Sequence, residues 1–201
     1  MKKEKKPQGT QSIFVCMGAS NHTDESREIN DYYATQPFAV NLLLNEEKFN
    51  NKIWEPACGG GHISNVLLEK NYDVFSSDKF DRGFECEKID FLNDVGPNSW
   101  VGDIITNPPY KLALEFTKKS LEVVKEGNKV AMFLKLTFLE GKSRKEFFKE
   151  NPPKVVYVSS SRLSCAKGGE FEKYKGLNAI AYCWYVWEKG YKGDTIIKWI
   201  N

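Results

Sequence analysis

From Pro37 onward the chain alternates short apolar runs with amphipathic stripes. Pro37 suits the first turn of a helix, and Phe38, Ala39, Leu42 and Leu43 give that helix an apolar face. Lys52–Trp54 is a short apolar run that leads into Glu55, a glycine cluster and the helix-like Ile63–Lys70. Tyr72–Ser77 reads as a strand ending at Asp78, and Glu87–Phe91 as a short strand ending near Asp90. Val101–Thr106 is a strand stopped by Asn107-Pro108-Pro109, because proline lacks the N–H that a ladder needs. Leu112, Phe116, Leu121 and Val124 mark a helix over Leu112–Lys125. Val130–Leu136 is a strongly apolar strand, and Lys142–Glu150 a charged helix stopped by Pro152-Pro153. Val155–Ser159 and Ala179–Trp187 are further strands, and Thr195–Trp199 an additional one.

Strands alternating with helices predict an α/β fold: a doubly wound, mostly parallel, seven-stranded sheet of Rossmann-like type. The segment joining Val155–Ser159 to Ala179–Trp187 is rich in Gly and Lys and has no helical period. These two strands are therefore expected to pair as an antiparallel hairpin at one edge. The chain has 201 residues, which suits a single domain over 29–201 without a separate target-recognition domain. Residues 1–28 are polar apart from Ile13-Phe14-Val15, and read as a flexible tail or lid.

Charge and cysteines narrow the field only a little. With 29 Lys+Arg against 27 Asp+Glu, any nucleic-acid contact must come from a local basic face. Five cysteines, Cys16, Cys58, Cys86, Cys165 and Cys183, form no C-x-x-C pair and are odd in number. Free thiols in a reducing cytoplasm and no metal site are the expectation. No run of apolar residues reaches the length of a membrane span or a signal peptide.

The candidate chemistry begins at Glu55-Pro56-Ala57-Cys58-Gly59-Gly60-Gly61-His62, between a strand and a helix. Glycines let the backbone turn with positive φ and let a ligand approach closely. The loop is neither G-x-G-x-x-G nor a phosphate loop with Gly-Lys-Ser/Thr, which disfavours a dinucleotide or a triphosphate. Glu55, at a strand end, can accept from an ammonium group. Asp78, at the end of the next strand, can take ribose hydroxyls. Asp90 and Phe91, at the third, offer an acceptor for an adenine amino group and an aromatic wall. Ammonium, ribose and adenine together are the parts of S-adenosyl-L-methionine.

The second constellation is Asn107-Pro108-Pro109-Tyr110. Two prolines make a stiff bend poor in donors and rich in acceptors. An amino nitrogen conjugated to a ring is a poor nucleophile. Accepting its two N–H bonds at Asn107 Oδ1 and the Pro108 carbonyl lets it pyramidalise and direct its lone pair at a methyl group. No strong base is needed, and Tyr110 would stack on a target ring taken out of the duplex.

At these residues the chain resembles the amino-methyltransferases of the class I, Rossmann-like superfamily. The upstream Tyr32-Tyr33-Ala34-Thr35-Gln36-Pro37 resembles the Tyr-x-Thr-Pro element of DNA adenine methyltransferases, including compact phage and prophage ones, although Gln36 separates Thr35 from Pro37. The resemblance implies that Thr35 helps hold the cofactor's carboxylate. It assigns Glu55, Pro56, Ala57, Cys58, Gly59 and Gly61 to the methionine part, Asp78 to the ribose and Asp90 with Phe91 to the adenine. Asn107 adjoins both the cofactor and the target, and Asn107, Pro108, Pro109 and Tyr110 hold the target amino group. The implied activity is adenine-N6 methylation of DNA in the cytoplasm. An amino group in RNA, a protein glutamine amide, or a non-catalytic binding module are the alternatives. Ser159–Leu177 is the substitute for a recognition domain: Arg162, Lys167, Lys173 and Lys175 would meet phosphates, and Phe171 and Tyr174 would stack on bases.

Overall fold

A computed structural model describes residues 32–94, 99–174 and 180–201. The tail expected at 1–28 and Lys175 lie outside these residues.

The elements follow in the order β1 (Tyr33–Thr35), α1 (Pro37–Glu46), β2 (Lys52–Glu55), α2 (His62–Glu69), β3 (Asp73–Asp78), β4 (Glu87–Lys88) and β5 (Asp103–Thr106), continuing with α3 (Ala113–Val123), β6 (Lys129–Lys135), α4 (Lys142–Glu150), β7 (Val155–Ser159), β8 (Cys165–Lys167), β9 (Tyr182–Glu188) and β10 (Ile196–Ile200). Eight strands form one sheet in the order β10-β7-β9-β6-β5-β2-β3-β4. All neighbours are parallel except β9, which runs antiparallel to both β6 and β7.

The doubly wound, mostly parallel sheet is as expected, with two corrections. It has eight strands rather than seven. β7 and β9 are antiparallel neighbours, but β9 is inserted between β6 and β7, and the edge belongs to β10, parallel to β7. The physical reason lies in composition. β9 buries nearly every residue on both faces, which only an interior strand can do, whereas β10 leaves four of its five residues exposed.

Alternation along each strand feeds two cores. Ile53, Ile105, Phe133 and Trp184 point to the face covered by α1 and α2. Trp54, Ile104, Met132 and Tyr185 point to the face covered by α3 and α4. Trp184 lies fully buried, and its indole N–H donates to the Ala39 carbonyl of α1 at 2.8 Å. The amino end of β5 is tied down by Asp103, 3% exposed, which accepts from the Asn50 N–H at 2.6 Å and the Lys129 N–H at 2.7 Å. Burial pushes the Asp103 carboxyl up, against those backbone donors.

A pair absent from the sequence expectation lies apart from the large sheet. β1 and β8 form a two-stranded antiparallel ribbon with Tyr33 opposite Lys167, Ala34 opposite Ala166 and Thr35 opposite Cys165. Three-residue strands carry too short a pattern to be read from one sequence.

Asp103→Ala leaves two backbone N–H groups without acceptors and should cost about 2–4 kcal/mol of stability. Urea unfolding measures this, and a loss below about 0.5 kcal/mol contradicts the role given to Asp103.

Candidate active site at the carboxyl end of the sheet

The turn after β2 is shaped by its glycines and by Asp78. Gly59 and Gly61 have φ of 56° and 75°, the left-handed region that favours glycine. A Cβ at Gly59 would overlap the Tyr32 ring, and one at Gly61 the Phe84 ring. Asp78 Oδ2 accepts the Gly59 N–H at 2.8 Å, while its Oδ1 accepts the Phe80 N–H at 2.9 Å. One carboxylate at the end of β3 thus fixes the loop between β2 and α2. Each of its oxygens keeps lone-pair capacity for a further donor.

Glu55, 1% exposed, ends β2 beneath this loop. It accepts the Ser64 hydroxyl hydrogen, and Ser64 Oγ lies 2.6 Å from Ser76 Oγ. No cation pairs with it among the described residues, so burial pushes its carboxyl well above the usual range. Thr35, Glu55, Ala57, Cys58 and Asn107, all expected at the cofactor site, line one pocket together with Tyr32. Pro56, Gly59 and Gly61 are buried in the loop itself.

The ribbon closes this pocket. Tyr32, immediately before β1, takes the Gly60 N–H on its hydroxyl oxygen at 2.8 Å and lies 2.8 Å from His62 Nδ1. The tautomer of the imidazole sets which of the two donates in the Tyr32–His62 hydrogen bond. Burial pushes the Tyr32 phenol up to about 12 and His62 below its usual value, so both are neutral at neutral pH. Phe171 packs edge-on against the other side of His62 at 5.5 Å between centroids. The Gly168 N–H donates to the Tyr32 carbonyl at 3.0 Å. The sequence quoted Tyr32 only as part of a resemblance; its place over the glycine loop was not foreseen.

The tetrapeptide after β5 meets the ribbon from the other side. Asn107 Nδ2 donates to the Tyr33 carbonyl at 2.8 Å. A backbone carbonyl can only accept, so the amide nitrogen must face it. That leaves Asn107 Oδ1 buried and without a hydrogen-bond partner among the described residues, and Thr35 Oγ1 is likewise buried and unpartnered there. A buried polar atom without a partner costs about 1–3 kcal/mol. Pro108 is buried and Pro109 exposed. Tyr110 is half-buried between the rings of Tyr33 (6.2 Å) and Tyr182 (5.7 Å), with its hydroxyl 3.1 Å from Cys165 Sγ. Burial holds the Tyr110 and Cys165 groups above their ordinary values, the Cys165 thiol at about 12.

Several expected residues stand elsewhere. Phe91 is 4% exposed and packs between Trp54 (5.1 Å) and Phe116 (5.1 Å), so it is a core residue and not an open aromatic wall. Asp90 does not line the pocket. Its carboxylate is taken up by the Leu92 N–H, the Asn93 amide and Lys79 at 3.2 Å, and these contacts lower its pKa against the opposing effect of burial. Arg162 and Lys167 are exposed, whereas Phe171 faces His62 on the cofactor side. Lys173 and Tyr174 lie in the 3-10 turn Phe171–Tyr174. No group of three or more His, Cys, Asp or Glu among the described residues could hold a metal, and no helix there is long and apolar enough to cross a membrane.

No family model and no curated protein matches the chain. Solved structures do. A predicted O-methyltransferase from Agrobacterium tumefaciens superposes with a TM-score of 0.57 at 10% identity, over 83% of this chain and 86% of its own. The modification subunit of a putative type I restriction enzyme from Vibrio vulnificus gives 0.55 at 13% identity, over 87% of this chain and 49% of its own. A putative class I S-adenosylmethionine-dependent methyltransferase from Listeria monocytogenes gives 0.52 at 13%, over 81% and 62%. The fold is that of the class I methyltransferases. This chain with the methyltransferase fold spans about half the length of the restriction subunit and under two thirds of the Listeria protein.

His62 should titrate below its ordinary value of 6.5. Phe171→Ala opens one side of the ring to water and should raise the midpoint toward that value. A pH titration of the His62 ring signals by NMR checks both, and an unchanged midpoint in the variant contradicts the packing described.

Proposed function

We propose that this protein methylates the exocyclic amino group of adenine in DNA, with S-adenosyl-L-methionine as the methyl donor. The observation that carries the reading is the Asn107 amide: its nitrogen is pinned to the Tyr33 carbonyl, and its oxygen is buried with no donor among the described residues. An acceptor fixed in this way suits an incoming N–H.

The donor set of the pocket fits the cofactor. Glu55 would face the ammonium group, the unpartnered Thr35 hydroxyl the carboxylate, and Asp78 the ribose hydroxyls. Asp90 and Phe91 are left out, because their side chains are already engaged. When bound there, the cofactor supplies an electrophilic methyl group. The chain's own part is to orient the target amine. Asn107 Oδ1 and the Pro108 carbonyl draw its two hydrogens, which turns the nitrogen lone pair outward and stabilises the positive charge that grows on it. Neutral His62 is held by Tyr32 and takes no part in proton removal. The amine's extra proton is lost to water after transfer.

Adenine in DNA is preferred over other amines because the Tyr32–Pro37 element accompanies the Asn-Pro-Pro-Tyr bend, as in the DNA adenine enzymes that the sequence resembles. The fold likeness to a restriction modification subunit is in keeping with that choice.

Asn107→Ala should lower kcat on unmethylated DNA by about 10²–10³-fold, a far larger loss than the one in cofactor affinity. Single-turnover transfer and equilibrium binding measure the two, and turnover within about threefold of the wild type rejects the role. Glu55 gives a second check. Its carboxyl is held up in the free protein, whereas an ammonium partner requires the ionised form. Binding should therefore release a proton, and affinity should rise with pH through the titration of Glu55. Glu55→Gln should bind more weakly and lose the proton release. Calorimetry in two buffers of different ionisation enthalpy reads this directly, and equal proton release in both proteins contradicts it.

A further inference from the structure

Lys135 ends β6, beside the carboxyl end of β5. Thr106 pairs with Met132 in that ladder, and both chains leave it at the same end of the sheet, β5 into the Asn-Pro-Pro-Tyr bend and β6 at Lys135. Its ammonium stands 5.1 Å from the centre of the Tyr110 ring. Lys135 is half-buried, yet it forms no ion pair within 4.0 Å with a carboxylate of the described residues. The contrast along the same strand is direct: Lys129, at the other end, is neutralised by Glu47 at 2.7 Å. Lys154, which precedes β7, has Glu188 at 2.7 Å. A half-buried cation has lost part of its hydration, and among the described residues the weak attraction of the Tyr110 ring face stands in its place.

Among the described residues no carboxylate forms an ion pair with this ammonium. Lys135 pairs across the sheet with Tyr182, and Tyr33 and Cys165 flank Tyr110 beside it; burial pushes the Tyr182 phenol and the Cys165 thiol up, so both stay protonated. Exposed Lys142 and Lys145 follow at the start of α4, on the same carboxyl end of the sheet. The cation is thus presented to something that binds over the Asn-Pro-Pro-Tyr bend and carries negative charge.

We propose that Lys135 anchors the backbone phosphate of the target nucleotide, and that it thereby selects a nucleic-acid strand over a peptide amide. The inference rests on the reading of Asn107 as the holder of the target amine, and it extends that reading to the substrate class. Lys135 is a positioning residue in this account: it fixes the strand so that the base reaches Asn107, and it takes no part in the chemistry. The occupied ring face of Tyr110 gives it a resting place while no strand is bound.

The test uses the full chain and a fluorescein-labelled single-stranded oligodeoxynucleotide containing adenine, followed by anisotropy across a salt series. Lys135→Gln should weaken binding about tenfold and flatten the plot of log K against log salt by about 0.7, the value for one phosphate contact on a single strand. Lys135→Arg should keep the wild-type slope, and cofactor affinity should be unchanged in both. In transfer assays Lys135→Gln should raise KM more than it lowers kcat. A Gln variant with the wild-type salt slope overturns the anchor even where methyl transfer is intact, as does a wild type that ignores the oligonucleotide. The expected slope change in a protein that transfers no methyl group would support the anchor and reject the reaction, so the two failures are distinct.

Discussion

The hydrogen bond from Asn107 to Tyr33 ties together the two parts on which the site is built. The Asn107 amide, at the end of β5, donates to the Tyr33 carbonyl at 2.8 Å and so ties the β1–β8 ribbon to the large sheet. A second contact, the Tyr110 hydroxyl 3.1 Å from Cys165 Sγ, holds the other strand of the ribbon to the same bend. With the Asn107 bond, one amide has its nitrogen committed and its oxygen left over. The bond therefore sets both the closure of the pocket and the direction of its unused acceptor. Its net worth to stability is small, about 1 kcal/mol, but the geometry it imposes is what the proposed chemistry uses.

The glycine loop shows the same economy. Asp78 spends one lone pair from each oxygen on backbone N–H groups, and the loop it fixes brings Gly59 and Gly60 under Tyr32. Tyr32 then reaches His62, and His62 reaches Phe171 of the β7–β9 connection. Three segments far apart in sequence meet over one turn, and each contact is made by a neutral group. Glu55, Asp78 and Lys135 are the groups with a ligand still to find in this account.

Much of this was legible in the sequence, for reasons that can be traced. Apolar runs such as Val155–Ser159 and the strand starting near Val130 announce buried strands because both faces are covered. The Asn107-Pro108-Pro109 stop marks a strand end because proline cannot extend a ladder. The ribbon was not legible, since three residues at Tyr33–Thr35 pair with three at Cys165–Lys167 across some 130 positions. Phe91 misled because a strand-end position says nothing about which way the side chain turns; here it joins Trp54 and Phe116 in the core. Asp90 carried a warning in its neighbours, because an aspartate followed by Leu92-Asn93 readily bonds its own backbone two residues on. The extra edge strand was noted as an apolar run, but its partner could not be deduced from pattern alone.

The most direct measurement of the central claim is the identity of the methylated product. The protein is incubated with radiolabelled S-adenosyl-L-methionine and, separately, unmethylated DNA, total RNA and a protein lysate, and each is hydrolysed and resolved. The account predicts label in N6-methyladenine from DNA. Label confined to RNA nucleosides or to methylglutamine contradicts the assigned substrate, and cofactor binding without label in any of the three contradicts the assignment of methyl transfer itself.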